Sequence, residues 1–166
     1  MKLPRLTVLI AVGASALMSC YASECAKSVP TATAESFYEK HRDFIHQGAK
    51  SPPLSPSLAK LVAANITQNL DAGDAGAIDW NFWVDAQDGD VEGVAKAISS
   101  REEHDRVIVR LSYLFFLSPA NKPTPKVSDV VLTRAGNGCW LVDDVLHDGR
   151  SVRKLLQIET LPKKSR

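Results

Sequence analysis

Helical periodicity early in the chain and strict alternation later predict an α+β domain, with N-terminal helices packed on a curved antiparallel sheet. Three observations carry that prediction. Apolar residues recur at helical spacing within 34–47 and again within 58–70. Val107, Val109, Leu111, Tyr113, Phe115 and Leu117 alternate onto one face of a strand. Asn137-Gly138 sits between two further alternating runs, where a tight hairpin needs positive backbone angles.

The first helix is expected from Ala34 to Gln47, capped by Thr33 and stopped by Gly48. Phe37, His41, Phe44 and Ile45, with Ala34 and Tyr38, form its buried face. Ser55-Pro56 opens the second helix. Serine suits the N-cap, and proline suits the first helical position because its missing N–H is not needed there. Leu58, Leu61, Val62, Ile66 and Leu70 form the second buried stripe. Val91 to Ser99 reads as a weak strand in which a helix is an alternative. Arg106 to Leu117 is the clearest strand, and Ile108, Leu114 and Phe116 make its other face apolar too, as suits an inner strand. Val127 to Arg134 and Cys139 to His147 form a hairpin, and Gly149 to Gln157 reads as a last helix with Val152, Leu155 and Leu156 inward.

Met1 to Ser19 has the layout of a secretory leader: Lys2 and Arg5, an apolar run from Leu6 to Leu17, then small residues. The run is too short to span a bilayer. Leu17-Met18-Ser19-Cys20 resembles the lipobox of bacterial lipoproteins, which would make Cys20 the lipidated first residue. Each buried acyl methylene would then contribute about 0.8 kcal/mol to anchoring. The other reading is ordinary cleavage after Ala22. With lipidation, Tyr21 rather than Asp after the cysteine predicts, under enterobacterial-type sorting, the periplasmic face of the outer membrane, and ordinary cleavage predicts a soluble periplasmic protein. Residues 20–32 then form a tether, 33–157 the domain and 158–166 a solvated tail.

With Cys20 lipidated, Cys25 and Cys139 remain as a pair in an oxidising compartment. A bridge across that long loop would stabilise the fold by about 4–5 kcal/mol. Alternatively Cys139 is a buried strand thiol and Cys25 lies free in the tether. Losing Lys2 and Arg5 takes the 20 basic residues to 18 against 19 acids, a net charge near −1. Such a balance lacks the basic stripe that nucleic acid requires.

The densest chemistry lies in Asp79 to Asp90, read D-W-N-F-W-V-D-A-Q-D-G-D. Trp80, Phe82, Trp83 and Trp140 are candidates for an aromatic binding surface or for core. Asp85, Asp88 and Asp90 lack the glycine turn and paired glutamate of a calcium loop, so no metal is expected. Of Asp143 and Asp144, one should face inward and pair with Arg106 or Arg110. No phosphate-cradling glycine loop, nucleophile elbow or zinc spacing is present, and no cofactor is expected.

Ala34-Glu35-Ser36-Phe37-Tyr38, Leu54-Ser55-Pro56-Ser57-Leu58, Trp83-Val84-Asp85-Ala86-Gln87-Asp88 and Trp140-Leu141-Val142-Asp143-Asp144-Val145 together resemble a family of bacterial envelope proteins, often lipoproteins. That family belongs to the nuclear transport factor two-like superfamily, and the resemblance covers roughly residues 33 to 157. It implies a cone-shaped fold with a pocket between helices and sheet. Folds of that plan host both enzymes and binding modules, so function must come from the site. The expectation is a non-catalytic envelope lipoprotein that binds a protein, peptide or small ligand, with an immunity protein against a secreted toxin as one form. Tyr38, His41, Trp80, Trp83, Asp85, Asp88 and Trp140 are its candidate ligand-binding residues. The alternative is a small cofactor-free hydrolase or isomerase that uses Tyr38, His41 and Asp88 for proton transfer.

Overall fold

In the computed structural model, residues 29–46, 52–72, 78, 80–118 and 120–159 are described. They form three helices and a five-stranded antiparallel sheet. Helices α1 (Pro30–His41) and α2 (Pro56–Ala72) come first. Strands β1 (Asp90–Glu103), β2 (Arg106–Phe116), β3 (Thr124–Arg134), β4 (Trp140–His147) and β5 (Arg150–Ser151) follow in spatial order, and α3 (Val152–Glu159) closes the domain. The α+β class and the order of helices before a meander are as the sequence predicts. Cys20, Cys25, Asp79 and the leader, most of the tether and the tail lie outside the described residues.

Helix α1 begins earlier and ends earlier than its periodicity suggests. Pro30 takes the first helical position, and the Thr33 hydroxyl donates back to the Val29 carbonyl at 3.2 Å instead of capping. The helix stops at His41, where the i→i−4 ladder gives way to a turn, and the Arg42 carbonyl just beyond accepts the Trp83 indole N–H at 2.9 Å. The chain then tightens into turns, Phe44 N to His41 O at 2.9 Å and His46 N to Asp43 O at 3.0 Å, which bury Phe44 and Ile45. Helix α2 starts as expected: Ser55 Oγ accepts the Leu58 N–H at 3.2 Å, with Pro56 at the first position.

The weak strand of the sequence reading is the longest one. Strand β1 runs 14 residues, carried through the polar stretch Ser99–Glu103 by pairing with β2. Two register shifts interrupt it, between Glu92 and Lys96 and between Ala97 and Ser99. Such bulges bend a strand. In β4 the extra residue is Asp143, since Leu132 faces Val142 and Val131 faces Asp144. The β3–β4 hairpin exists, but only Gly138 takes a positive φ, +85°. The connection is a turn closed by Gly138 N to Ala135 O at 2.8 Å, then a glycine bulge, so Asn137 serves by accepting the Cys139 N–H. The last helix starts three residues later than expected, because Arg150–Ser151 pairs with Leu146 and His147 as β5.

One face of the sheet carries Val109, Leu111, Val130, Leu132, Val142 and Val145, all fully buried against Phe37, Tyr38, Leu58 and Leu156. Side chains and loops guard both sheet edges. On β1, Glu35 accepts the Ala97 N–H at 2.8 Å and Arg42 donates to the Val91 carbonyl at 3.1 Å. On β4, Val142 N donates to Pro53 O at 2.7 Å and Ser55 N to Val142 O at 2.8 Å.

Candidate functional site

The aromatic stretch of 80–90 divides between core and surface. Phe82, Trp83 and Val84 are buried, whereas Trp80 is half-buried. A turn closed by Asn81 N to Ala86 O at 3.0 Å drives Trp83 inward, and Asn81 Oδ1 accepts the Trp83 N–H at 3.1 Å. Asp85 takes φ +54° in that turn and pairs with Arg150. Asp88 is exposed. Gly89 must be glycine: a Cβ there would lie 2.5 Å from the Phe115 ring and 2.7 Å from the Phe116 carbonyl. Trp80 lines a recess of about 200 Å³ with Arg42, Asp43, His46, Asn81 and Gln87.

Behind this turn lies a buried aromatic and polar cluster. The Tyr38 ring meets Tyr113 at 4.9 Å and Trp83 edge-on at 4.9 Å. The Tyr113 hydroxyl donates to the Trp83 carbonyl and lies 2.5 Å from Ser128 Oγ. Ser128 Oγ is in turn 2.9 Å from His147 Nδ1, which also faces the Val127 carbonyl at 3.0 Å. A neutral imidazole with its proton on Nδ1 fits that carbonyl, leaving the buried Nε2 without a hydrogen bond and 3.6 Å from Asp148. Burial lowers the His147 pKa, against smaller raising effects from Asp148, the Val127 carbonyl and Asp85. Burial pushes both tyrosines up, Tyr38 to about 12.

The acid–base set Tyr38, His41 and Asp88 is not assembled. Tyr38 is fully buried and its hydroxyl makes no hydrogen bond of normal geometry, although the nearby Arg42 guanidinium, by charge and by hydrogen bonding, opposes the rise in its pKa. His41 is half-buried beside the Phe37 ring, its pKa lowered by burial and by Lys40. No hydrogen bond or ion pair joins Asp88 to either residue. Of the seven candidate ligand residues, Tyr38 and Trp83 are core, His41, Trp80 and Trp140 are half-buried, and Asp85 and Asp88 are at the surface.

The paired aspartates of β4 hold the end of the domain together. Buried Asp143 accepts from Arg153 and from Arg106 at 3.2 Å, so the expected Arg106 partner is present. Arg110 pairs instead with Asp129 at 2.7 Å. Because of the bulge, Asp144 is not simply outward. It accepts from Ser151 Oγ at 2.6 Å and from the Arg153 N–H at 3.0 Å, and burial raises its pKa against those bonds. Ser151 Oγ also accepts the Lys154 N–H at 3.0 Å, capping α3, and Arg153 reaches Ser57 of α2 at 3.1 Å.

A wider groove of about 410 Å³ crosses the sheet's end between the β1–β2 turn and the β3–β4 hairpin. It is lined by Glu102, Asp105, Arg106, Arg134 and Trp140, among others. The Arg134 guanidinium lies 4.7 Å from the centre of the Trp140 ring. Cys139 beside it carries a free, buried thiol, and its expected partner Cys25 lies outside the described residues. Among the described residues, no three His, Cys, Asp or Glu side chains gather as a metal site needs, and no helix is long and apolar enough to cross a membrane.

Compared with protein-family models, with characterised proteins and with solved structures, the chain matches none. The sequence reading missed the Tyr113–Ser128–His147 network and the Arg153 hub. The network had one legible signal: Tyr113, Ser128 and His147 fall on strand positions that alternate with exposed or half-buried neighbours. The hub had none, because a bulge creates it.

Proposed function

We propose that the protein is a non-catalytic binding module of the bacterial cell envelope, built on the nuclear transport factor two-like plan and tethered through a lipidated Cys20. The observation that carries this reading is the filled interior. Where an enzyme of that plan would keep a pocket between helices and sheet, Tyr38, Trp83 and Tyr113 pack together, Trp83 edge-on to both tyrosine rings, each at most 3% exposed. The Tyr113 hydroxyl is spent on a peptide carbonyl and a serine, not held free for a substrate. Recognition then falls to the surface, by way of a protein, a peptide or a small ligand near the outer membrane. A secreted toxin neutralised by the module is one form that partner takes.

The test is intact mass of the membrane-fraction protein together with crosslinking in whole cells. The expected result is a triacylated chain beginning at Cys20, an envelope partner crosslinked to it, and loss of both in Cys20→Ser. An unmodified soluble chain would refute the tether. Hydrolase or isomerase turnover abolished in both Tyr38→Phe and Asp88→Asn would establish the enzyme alternative instead.

A further inference from the structure

The groove across the end of the sheet holds charges of both signs that do not pair with one another. Elsewhere on this sheet neighbouring opposite charges do meet: Arg101 reaches Glu103 at 2.8 Å and Arg110 reaches Asp129 at 2.7 Å. In the groove, the side chains of Glu102 and Asp105 make no hydrogen bond or ion pair among the described residues. Arg134, exposed, has only the Trp140 ring beneath it. Arg106 is engaged by Asp143.

The backbone accounts for this separation. Arg134 and Trp140 are cross-strand partners in the β3–β4 register, so the guanidinium lies over the indole. The ring covers one side of the guanidinium, and no carboxylate among the described residues takes its N–H donors, which can grip a carboxylate in a two-pronged fork. Glu102 and Asp105 sit on the other side of the groove, at the β1–β2 turn. There His104 takes φ +57° and the Glu103–Arg106 pair closes the hairpin. The groove is therefore dipolar, acidic at the β1–β2 turn and basic over Trp140. Its volume of about 410 Å³ falls in the range of small-molecule sites.

We propose that this groove binds a zwitterionic ligand of amino-acid or dipeptide size, its carboxylate on Arg134 and its ammonium on the Glu102 and Asp105 carboxylates. The proposal rests on the reading of the protein as a binding module and names the ligand class of one site. A purely anionic ligand would meet the two carboxylates, and a purely cationic one would meet Arg134. Only a ligand with both ends satisfies both sides.

The experiment is an amide NMR titration of the 15N-labelled protein with glycylglycine, then with N-acetylglycylglycine and glycylglycinamide. Saturable shifts are expected for Glu102 to Val107, Thr133, Arg134 and Trp140 with the zwitterion, and at least tenfold weaker binding for each blocked peptide. Arg134→Lys, which keeps the charge but loses the fork, and Glu102→Gln should each weaken glycylglycine binding while the spectrum stays folded. Equal binding of a blocked peptide would overturn the zwitterion, as would unchanged affinity in both variants. Shifts centred on another surface would overturn this groove and leave the binding module standing. Absence of shifts with all three probes would overturn the groove, while the crosslinked envelope partner tests the broader reading separately.

Discussion

Two stacked tyrosines should respond in opposite ways to loss of a single hydroxyl. Tyr113 and Tyr38 are both buried and their rings lie 4.9 Å apart. The Tyr113 hydroxyl bonds the Trp83 carbonyl and Ser128 Oγ, whereas the Tyr38 hydroxyl makes no hydrogen bond of normal geometry and meets only the Arg42 guanidinium. Tyr113→Phe removes a donor from a buried peptide carbonyl, and leaving such a group unsatisfied costs about 1–3 kcal/mol. Tyr38→Phe removes a buried group that is itself unsatisfied, so it should be neutral or stabilising, by up to about 1 kcal/mol. For a domain of this size the Tyr113 loss corresponds to a Tm drop of roughly 4–15 °C. The assay is guanidinium unfolding followed by tryptophan fluorescence, with midpoints compared at a common m value. The reasoning is refuted if Tyr113→Phe falls within about 0.5 kcal/mol of wild type, or if Tyr38→Phe is the costlier change.

Protonating His147 should cost stability. Its folded pKa is lowered, chiefly by burial, so its contribution is complete above the unfolded value of 6.5 and is lost as pH falls through the folded pKa. Unfolding free energy measured from pH 7.5 downward should decline for wild type and decline less steeply for His147→Gln; equal slopes would show that another group, such as His41, is responsible. Asp143→Asn leaves Arg153 facing a neutral amide at a largely buried site and should destabilise by about 3–5 kcal/mol in urea unfolding, and Arg110→Gln should cost less, because the Arg110 side chain is 46% exposed although its partner Asp129 is only 12% exposed. Gly89→Ala should cost more than about 1 kcal/mol by thermal unfolding, because φ is +99° and the Phe116 carbonyl blocks the new methyl. Gly93→Ala, with nothing within 4 Å, should cost less.

Elements whose patterns are local were legible. Ser55-Pro56 caps α2 because both residues act on the helix they begin, and β2 alternates because its side chains point in turn to the packed and the open face of the sheet. Ends set by distant partners were not. Nothing near His41 in the chain signals that α1 gives way there to a turn whose Arg42 carbonyl meets the Trp83 indole, 41 positions downstream. Strand β1 was underread for the same reason: Ser99–Glu103 has poor strand chemistry on its own and is extended by pairing with Arg106–Arg110.

The candidate site was legible by composition but not by arrangement. Residues 80–90 were singled out because aromatic and acidic side chains crowd together there, and crowding does not say which of them faces inward. The turn at Asn81–Ala86 decides that, sending Trp83 to the core and Asp85 to Arg150. Tyr38 and His41 lie three positions apart on α1, yet Tyr38 meets Trp83 and Tyr113, while His41 packs against Phe37. Trp140 was read as one member of an aromatic surface, but its partner is not another ring. The register that places Arg134 opposite it turns the indole into a platform for a guanidinium. A charge held open in that way can meet an arriving carboxylate, so the end of the sheet, and not the aromatic stretch itself, is where recognition should first be sought.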